Sequence, residues 1–564
     1  MENAVGVWAP GAQQVDVVVE GVAQPLERTD SPRAGWWTGD VGLEHGTRYA
    51  FSIDGGDPRP DPRSGYQPEG VHAASAFVDP STFTWTDRAW EGRDARGAVF
   101  YELHVGTFTA EGTFAAAADR LDHLVDLGVD VVEVLPVSAW DGPWNWGYDG
   151  VAPYAVQHEY GGPEGLAAFV DACHAKGLAV ALDCVYNHLG PSGNYLGEFG
   201  PYFTDKHDTP WGAAVNLDDD GSVEVRRWIC DNALRWFRDF HVDALRLDAV
   251  HALVDDSPTH VLAQLADEVA ALSAELGRPL SLVAESDLND AAMVTPTALG
   301  GYGMTAQWDD DVHHALHARL TGERQGYYAD FGDPGVLATT FEEAFFHAER
   351  FSSFRGGVWG TKVDREAVRG SAFLGYLQTH DQVGNRAVGD RIGHLLTEGR
   401  LAAGAALYLL GPFTPMIFMG EEWNASTKWQ FFTSFPDPEL GKAVSEGRRS
   451  EFGEHGWSAE DVPDPQDPAT KEASVLRWDE RDEEAHARVL WWYRELIGLR
   501  RAEPDLHADD LSAVRVEETA TTIVMHRGAF RVVVGFDGST ERPAGEVVAE
   551  FSDGTCSVAV LRVR

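Results

Sequence analysis

The feature that most constrains the fold is a regular alternation of short apolar segments with helical patterns, which begins near residue 98 and continues to residue 501. The first apolar segment, AVFYELHVGTF (98–108), is followed by Leu121 and Leu124 at helical spacing. A second segment comes next, LGVDVVEVLPV (127–137), and six more follow at 177–188, 242–250, 281–286, 304–311, 373–381 and 414–422. Apolar runs separated by helices indicate parallel strands covered on both faces. The pattern therefore predicts a (β/α)8 TIM barrel.

Both flanks of this region instead alternate apolar and polar residues, which is typical of antiparallel strands. Residues 1–90 contain VDVVVEG and RYAFSIDG between Gly, Pro and Asp turns, and the C-terminal segments include IVMHRGAFRVVVGF and CSVAVLRV. We therefore predict a multidomain chain with three parts. These are an N-terminal immunoglobulin-like β-sandwich (1–90), the barrel with loop insertions (91–505) and a C-terminal β-domain (506–564).

The chain is strongly acidic, with 44 Lys and Arg against 90 Asp and Glu and a formal net charge of −46. Such a surface repels phosphate backbones and anionic lipids, so we expect neither nucleic acid nor membrane as a partner. The sequence does not open on a basic segment followed by an apolar stretch, and it contains no run of about 18 apolar residues. Four scattered cysteines without CxxC spacing favour reduced thiols. We therefore predict a cytoplasmic protein.

The segment DALRLDAVH (243–251) places an arginine and an aspartate on the same side of a predicted core strand. Arg246 and Asp248 form either a structural salt bridge or a functional pair, because buried ions require partners in both cases. Other predicted strands also end in polar residues, and the carboxyl ends of barrel strands meet at one mouth. These residues are Asp183, Asn187, His188, Glu285, His380 and Asp381. Their agreement favours a functional site over isolated salt bridges.

The chemistry that suits these residues is glycoside hydrolysis, which needs one ionised and one protonated carboxyl group beside the scissile bond. Asp248 and Glu285 are the candidates. We expect Arg246 to keep Asp248 ionised, and we expect desolvation to raise the pKa of Glu285. The two residues lie on consecutive predicted strands, so a separation of about 5 to 5.5 Å is predicted, which implies retention of configuration through a covalent intermediate.

Four segments resemble, in order, the motifs of the α-amylase superfamily of glycoside hydrolases: DCVYNH, DALRLDAVH, VAES and LQTHDQVGN. The resemblance implies that Asp248 is the nucleophile, that Glu285 is the acid/base and that Asp381 is a third carboxylate that holds sugar hydroxyls. It also implies substrate-binding residues around the −1 sugar, including a stacking platform in NWGYDG. These are Tyr148, His188, Arg246 and His380.

Other segments are more selective within the superfamily. VWAPGAQQVDVVV and NWGYDG resemble branching, debranching and trehalose-releasing enzymes, whose N-terminal domain is similar to a carbohydrate-binding module. FMGEEWNASTKWQFFTSF, GRRSEF and DPRSGYQPEGVH, with LQTHDQVGNR, resemble the family of malto-oligosyltrehalose trehalohydrolases. This resemblance implies hydrolysis of the α-1,4 bond next to the terminal trehalose of maltooligosyl trehalose. It also implies functional coupling to a maltooligosyltrehalose synthase.

Recognition of the trehalose end is predicted for the loop 421–432, with Trp423 as a substrate-binding residue; the alternative is that its aromatic residues only pack the loop. Gln382, which follows Asp381, is also assigned to substrate binding. A 1,4-α-glucan branching enzyme remains an alternative, since catalytic motifs do not report the acceptor. An alternative of another class is a non-catalytic carbohydrate-binding protein, but it would be expected to lose a catalytic carboxylate.

One segment raises the question of a metal. DDDVHHALH places His313 and His317 at a spacing that binds zinc on a helix, but the HExxH pattern is incomplete. Asn187 matches a residue that binds calcium in many α-amylases, whereas the subgroup that this chain resembles generally lacks that ion. We therefore predict neither a metal nor a cofactor.

Overall fold

The computed structural model describes residues 4–30, 33–210, 212–453, 462–538 and 542–563. Its N-terminal part contains two β-sheets, of strand order β1-β5-β4 and β3-β2-β6-β7. Alternate residues of β2, including Val15 and Val17, are fully buried, as the alternating sequence predicts. The strands are β1 (Ala4–Trp8), β2 (Val15–Val19), β3 (Val22–Pro25), β4 (Glu27–Thr29), β5 (Trp36–Asp40), β6 (Arg48–Ile53) and β7 (Ser75–Ala76).

The central part is a closed barrel of parallel strands in the order β12-β15-β16-β17-β20-β21-β8-β9. Each of the predicted apolar segments contributes one barrel strand, so the predicted (β/α)8 barrel is confirmed. The strands of this part are β8 (Phe100–Leu103), β9 (Val131–Val134), β10 (Ser138–Ala139), β11 (Ala152–Val156), β12 (Ala179–Cys184), β13 (Phe203–Thr209), β14 (Gly212–Val215), β15 (Ala244–Leu247), β16 (Ser281–Ala284), β17 (Ala306–Trp308), β18 (Arg350–Ser352), β19 (Gly357–Trp359), β20 (Phe373–Tyr376) and β21 (Thr414–Phe418).

Helices connect the barrel strands and cover their outer faces. The longer ones have a buried apolar side: α6 buries Trp228, Ile229 and Trp236. The helices are α1 (Val105–Phe108), α2 (Phe114–Ala118), α3 (Leu121–Leu127), α4 (Gly162–Ala175), α5 (Leu196–Phe199), α6 (Ser222–Asp239), α7 (Val261–Leu276), α8 (Asp310–Thr321), α9 (Val336–Glu343), α10 (His380–Gly384), α11 (Ile392–Leu395), α12 (Glu398–Leu409), α13 (Pro438–Gly453), α14 (Pro468–Ala473), α15 (Glu484–Ala502) and α16 (Pro504–His507).

The C-terminal part is one antiparallel sheet of order β22-β23-β24-β26-β25. It packs on the barrel through aromatic contacts, such as that of Trp492 on α15 with Phe551, whose ring centroids lie 5.7 Å apart. None of the helices in the described ranges has the length and apolar character needed to cross a membrane. The strands are β22 (Arg515–Glu518), β23 (Thr522–Arg527), β24 (Phe530–Gly535), β25 (Glu546–Ser552) and β26 (Ser557–Arg562).

Strand register determines which side chains meet at the carboxyl end of the barrel. Ala181 pairs with Ala244 across β12 and β15, and both belong to the apolar cluster that fills the interior. Two residues further along the same strands, Asp183 pairs with Arg246, so the lining changes from small apolar to charged. Because side chains alternate along a strand, these charged groups point to the same side as the alanines below them.

Candidate active site

The guanidinium group of Arg246 is the centre of the site and is fully buried. Its Nη1 donates to both carboxylate oxygens of Asp183, at 2.9 and 2.8 Å, and to Oδ1 of Asp248 at 2.7 Å. Its Nη2 lies 3.0 Å from Oε2 of Glu285. The structure therefore brings the two predicted catalytic carboxylates to one cation, which makes their joint burial tolerable.

The backbone after Asp248 contributes to the same arrangement. Ala249 has a φ of 37°, in the left-handed region that non-glycine residues rarely adopt. Its amide nitrogen donates to Oε2 of Glu285 at 2.7 Å. A strained residue at this point aims an N–H group at the second carboxylate, as strained backbone often does at functional sites.

The pKa values of the two carboxyl groups run opposite to the sequence-based expectation. Burial raises the pKa of Asp248 well above its usual range, although Arg246 opposes the rise. Burial also acts to raise the pKa of Glu285, but Arg246 and the Ala249 N–H group outweigh it, and the pKa falls below its usual value. The prediction of a raised pKa for Glu285 in the free protein is therefore wrong. It failed because the contact of Arg246 with Glu285 joins neighbouring strands and is invisible in sequence.

His380 and Asp381 begin α10 at the end of β20. His380 Nδ1 lies 2.5 Å from Oε1 of Glu102, and its backbone N–H donates to Oε2 of the same residue at 3.0 Å. Burial lowers the pKa of His380, but Glu102 and Asp381 raise it to about 9, so the ring is an imidazolium at neutral pH. Its Nε2 lies 3.5 Å from Oδ1 of Asp381. Sequence reasoning missed Glu102, whose only signal was a charge within the apolar segment 98–108.

Tyr148 packs directly on this group. Its ring stacks on His380 with centroids 5.1 Å apart and planes 17° apart, and its hydroxyl donates to Asp183 at 2.6 Å. His188 Nε2 lies 2.9 Å from the carbonyl oxygen of Tyr148. Burial lowers the pKa of His188, so its ring is neutral at pH 7. Tyr148 and His188 thus lie with Arg246 and His380, as the resemblance implied.

Gln382 follows Asp381 on α10, is half-buried, and bonds to neighbouring groups of the protein. Its Oε1 accepts from the backbone N–H group of Thr379 at 2.9 Å and from the Thr379 hydroxyl at 2.5 Å, which caps α10. Its Nε2 donates to Asp310 at 3.1 Å. These bonds use the amide oxygen and one of the two N–H groups, so Gln382 supports Asp310 and α10, and its contact with substrate stays a prediction.

Trp423 is not brought to the site. It is fully buried, and its Nε1 donates to Oε1 of Glu480 at 3.2 Å. Trp429 and Phe432 of the same loop are also fully buried, whereas Phe431 is half-buried. The prediction that Trp423 contacts substrate is corrected by this burial: the alternative, that the aromatic residues pack the loop, holds for three of the four.

Two further carboxyl groups were missed by sequence reasoning. Glu133 is buried inside the barrel, and neither of its carboxylate oxygens has a hydrogen-bond partner in the structure. Burial, with the charges of Glu102 and Asp183, raises its pKa well above the usual range and so favours the neutral acid. Asp310 accepts from the Tyr376 hydroxyl at 2.7 Å, and burial raises its pKa to about 7.

The histidines that suggested zinc are bonded within the protein. His313 Nδ1 lies 2.9 Å from the carbonyl oxygen of Leu377, and its Nε2 lies 2.9 Å from the Tyr328 hydroxyl. His317 Nε2 lies 2.8 Å from Glu323. The ring nitrogens that a metal would need are therefore used to hold α8 in place.

One cluster within the described ranges has a spacing compatible with a metal ion, formed by His207, Asp218 and Asp256. The Lys206 ammonium group lies 2.8 Å from Asp218 and already supplies a positive charge there. The Asn187 amide, which matched a calcium ligand, lies 3.0 Å from His188 Nδ1. Lys206 therefore takes the place of a cation at this cluster, whereas the buried Oδ1 of Asn187 has no hydrogen-bond partner in the described part of the chain.

Comparison with known proteins agrees with this geometry. The catalytic-domain model of the Alpha-amylase family matches residues 77–208. The malto-oligosyltrehalose trehalohydrolase of Arthrobacter ramosus is 54% identical over 95% of this chain and 93% of its own length. That of Saccharolobus solfataricus is 43% identical over 88% of this chain and 84% of its own length. A branching enzyme of Vibrio parahaemolyticus is 34% identical, but over 46% of this chain and 38% of its own.

Solved structures show the same fold. A Salmonella typhimurium protein that carries the provisional name of an alpha amylase is 36% identical and superposes with a TM-score of 0.90, covering 100% of this chain and 97% of its own. A pullulanase from Anoxybacillus, complexed with maltotetraose, gives a TM-score of 0.71 at 16% identity, covering 100% of this chain and 86% of its own. The second likeness concerns the fold alone.

Proposed function

Because the chain belongs to the family of malto-oligosyltrehalose trehalohydrolases, within the alpha-amylase group of glycoside hydrolases, we propose that it hydrolyses maltooligosyl trehalose. The bond cleaved is the α-1,4-glucosidic bond next to the terminal trehalose unit. The products are free trehalose and a maltooligosaccharide. The observation that carries the chemistry is the contact of Asp248 and Glu285 with the one guanidinium group of Arg246.

The proposed reaction has two steps. Asp248 attacks the anomeric carbon while Glu285 protonates the glycosidic oxygen, so the bond to trehalose breaks and a covalent glycosyl-enzyme forms. Glu285, now a carboxylate, then removes a proton from water. The resulting hydroxide attacks the same carbon and releases Asp248 and a maltooligosaccharide with retained configuration.

These roles require the proton on Glu285 and the negative charge on Asp248, whereas in the free protein the pKa of Asp248 is raised and that of Glu285 is lowered. The Glu285 side chain is 19% exposed and that of Asp248 is 10% exposed. A bound sugar removes water from the more exposed group to the greater extent, which raises its pKa. We infer that substrate binding moves one shared proton from Asp248 to Glu285 and so prepares the acid.

The remaining polar groups hold the sugar on the glycone side. Tyr148 offers a ring for stacking, supported from behind by the stacked His380. The imidazolium of His380 donates to sugar hydroxyls, and Asp381 accepts from them, as the family resemblance implies. Arg246 stays protonated throughout the reaction and remains bonded to the carboxylates that share it.

The biological setting is also part of the proposal. Maltooligosyl trehalose must arise by rearrangement of the reducing end of an α-1,4-glucan, so a maltooligosyltrehalose synthase is the expected supplier. The cysteines are all free and buried, which favours action in a reducing cytoplasm. We assign 1–90 to a carbohydrate-binding-module-like domain, 91–505 to the catalytic domain and 506–564 to the C-terminal domain.

The experiment is a product analysis of the purified protein with maltotriosyltrehalose and, separately, with amylose. Free trehalose and maltotriose from the first substrate support the proposal. Asp248→Asn is the matched control, because the amide keeps the shape of the side chain and removes the nucleophile; it should fold and release no trehalose. New α-1,6 branches in amylose, without trehalose release, would instead establish a branching enzyme with the same catalytic groups.

A further inference from the structure

Asp381 lies on a helix that is too short to be stable alone. The five residues of α10 form little more than one turn, and an isolated helix of this length does not persist in water. Thr379 and Gln382 cap its first turn. Its last turn needs a separate contact, because the carbonyl groups there lack partners inside the helix.

Arg448 of α13 supplies that contact. It belongs to the segment GRRSEF (447–452), and its Nη2 donates to the backbone carbonyl oxygen of Gly384, the last residue of α10. A positive charge is favourable at the C-terminal end of a helix. Phe452, four residues beyond Arg448, is buried in one cluster with Ala387, which follows α10. The end of α13 is therefore packed against the end of α10.

The same guanidinium group contacts the aromatic residues behind the site. The Arg448 Cζ atom lies 5.2 Å from the ring centroid of Phe431 and 4.6 Å from that of Phe452. Phe431 meets Trp146 edge to face, with centroids 5.2 Å apart. Trp146 in turn meets His380 edge to face at 5.7 Å. Arg448 thus joins the C-terminal end of α10 to the rings that pack against its N-terminal end.

The surroundings of Arg448 do not favour a charge. Its side chain is 9% exposed, and burial lowers its pKa, although Glu451 opposes the fall. Within the described ranges its polar partners are the Gly384 carbonyl oxygen and Glu451, at 3.4 Å, whose side chain is 55% exposed. An exposed partner stabilises a charge little, and apolar replacement of buried charged groups is often neutral or stabilising. Stability alone is therefore served as well by an apolar residue at this position.

We propose that Arg448 is a positioning residue, which holds α10 so that Asp381 meets the hydroxyl groups of the sugar whose bond is cleaved. The inference rests on the proposed function, which assigns this sugar to Asp381. Within the described ranges the Asp381 carboxylate contacts His380 at 3.5 Å and Asn385 at 3.4 Å. Both partners begin or follow α10, so the direction of the carboxylate depends on the helix and not on the barrel wall.

The test replaces Arg448 by Met, which is of similar length and uncharged. Arg448→Met should lower kcat/KM about 10- to 100-fold, because a small displacement of a group that contacts the reacting sugar has an effect of this order. The loss should fall on kcat more than on KM, since distortion of the sugar belongs to the transition state. It should be equal for maltotriosyltrehalose and α-maltotriosyl fluoride, which share the sugar that Asp381 contacts. The thermal midpoint should equal or exceed that of wild type.

Three comparisons distinguish positioning from general damage. Arg448→Lys keeps a charge that can donate to Gly384 and should recover most of the activity. Guanidinium chloride at millimolar concentration should restore part of the activity of Arg448→Ala, whereas sodium chloride at the same concentration should not. Arg449→Met is the matched control on α13, because Arg449 pairs with Asp464 at 3.1 Å, and it should leave kcat unchanged.

The outcomes separate the two proposals. Wild-type protein that releases no trehalose overturns the proposed function and this inference with it. Wild-type protein that releases trehalose, with an unchanged kcat for Arg448→Met, overturns the inference alone. An Arg448→Met protein that unfolds at a lower temperature, together with an Arg448→Ala protein that guanidinium does not restore, also overturns it, because Arg448 would then only stabilise the fold. An equal loss for Arg449→Met, or a loss confined to the trehalose-ended substrate, has the same consequence.

Discussion

Replacing Glu285 by Gln tests the central chemical assignment. The amide oxygen of Gln can still accept the Ala249 N–H group, which donates to Glu285 at 2.7 Å. The substitution removes the negative charge that lies 3.0 Å from Arg246 and removes the transferable proton. The size and shape of the side chain are preserved, so a loss of activity reports chemistry rather than packing.

The expected loss depends on the leaving group. A positioned general acid contributes about 10²- to 10⁴-fold, which corresponds to about 3 to 5 kcal/mol in the activation barrier. We expect Glu285→Gln to lose this factor with maltotriosyltrehalose, whose leaving sugar needs a proton. With α-maltotriosyl fluoride the glycosylation step should be nearly unaffected, because fluoride leaves without protonation.

The fluoride substrate also isolates the titration of Asp248. Burial raises the pKa of Asp248, Arg246 lowers it, and the charge of Glu285 raises it further. A nucleophile must be ionised, so activity falls as pH decreases through this raised pKa. Removing the Glu285 charge lowers the pKa of Asp248, so the acidic limb of the variant should move to lower pH.

The assay is kcat/KM for fluoride release and for trehalose release between pH 4 and pH 9, for wild type and Glu285→Gln, because kcat/KM reports the glycosylation step and not the later attack by water. Equal losses with both substrates would refute the role of Glu285 as the acid. An acidic limb that moves to higher pH in the variant would refute the electrostatic argument. The nucleophile would then be a carboxylate at the mouth other than Asp248.

Three smaller changes test other parts of the site. Glu102→Gln removes the charge that, against burial, raises the pKa of His380 to about 9. The imidazolium should then be lost from neutral pH upward, so the variant should hydrolyse the fluoride more slowly than wild type at pH 8 but not at pH 5.5. Rates equal to wild type at pH 8 would contradict this. Glu133→Gln should leave the pH–rate profile unchanged, because burial raises the pKa of this acid and favours its neutral form; a displaced profile would show that it is ionised. Trp423→Phe removes the hydrogen bond to Glu480, so thermal unfolding should show a loss of stability of about 1 kcal/mol. The products should not change. A changed product ratio would show that Trp423 contacts the substrate.

The barrel and the convergence of Asp248 and Glu285 at its mouth could be predicted from sequence because both follow from short-range periodicity. Arg246 and Asp248 share a side of one strand through the period of two, and their contact at 2.7 Å confirms it. The strand at Ala306–Trp308 followed from its place in the alternation. Parallel strands of a closed barrel then bring their carboxyl ends together without any knowledge of register.

Contacts that depend on register or on distant packing could not be predicted. Glu102 and His380 are separated by 278 residues, and their contact requires β8 and β20 to flank β21. The environment of Trp423 is set by Glu480 and by His486 of α15, which covers the loop. An aromatic residue in a Gly- and Asn-rich segment has the same sequence pattern whether a helix covers it or a sugar does.

The protonation states of the acids are the property of the site that is hardest to predict from sequence. The barrel interior and mouth contain more carboxyl groups than cations: the acids are Glu102, Glu133, Asp183, Asp248, Glu285 and Asp381, and the cations are Arg246 and His380. Buried charges need partners, so burial raises the pKa values of Glu133 and Asp248 and favours their protonated forms. Arg246 is shared by Asp183, Asp248 and Glu285, and a proton can therefore move between its partners at small cost when a sugar alters their exposure. Residue identity makes the site acidic, whereas the placement of a single guanidinium decides which acid is ready to donate.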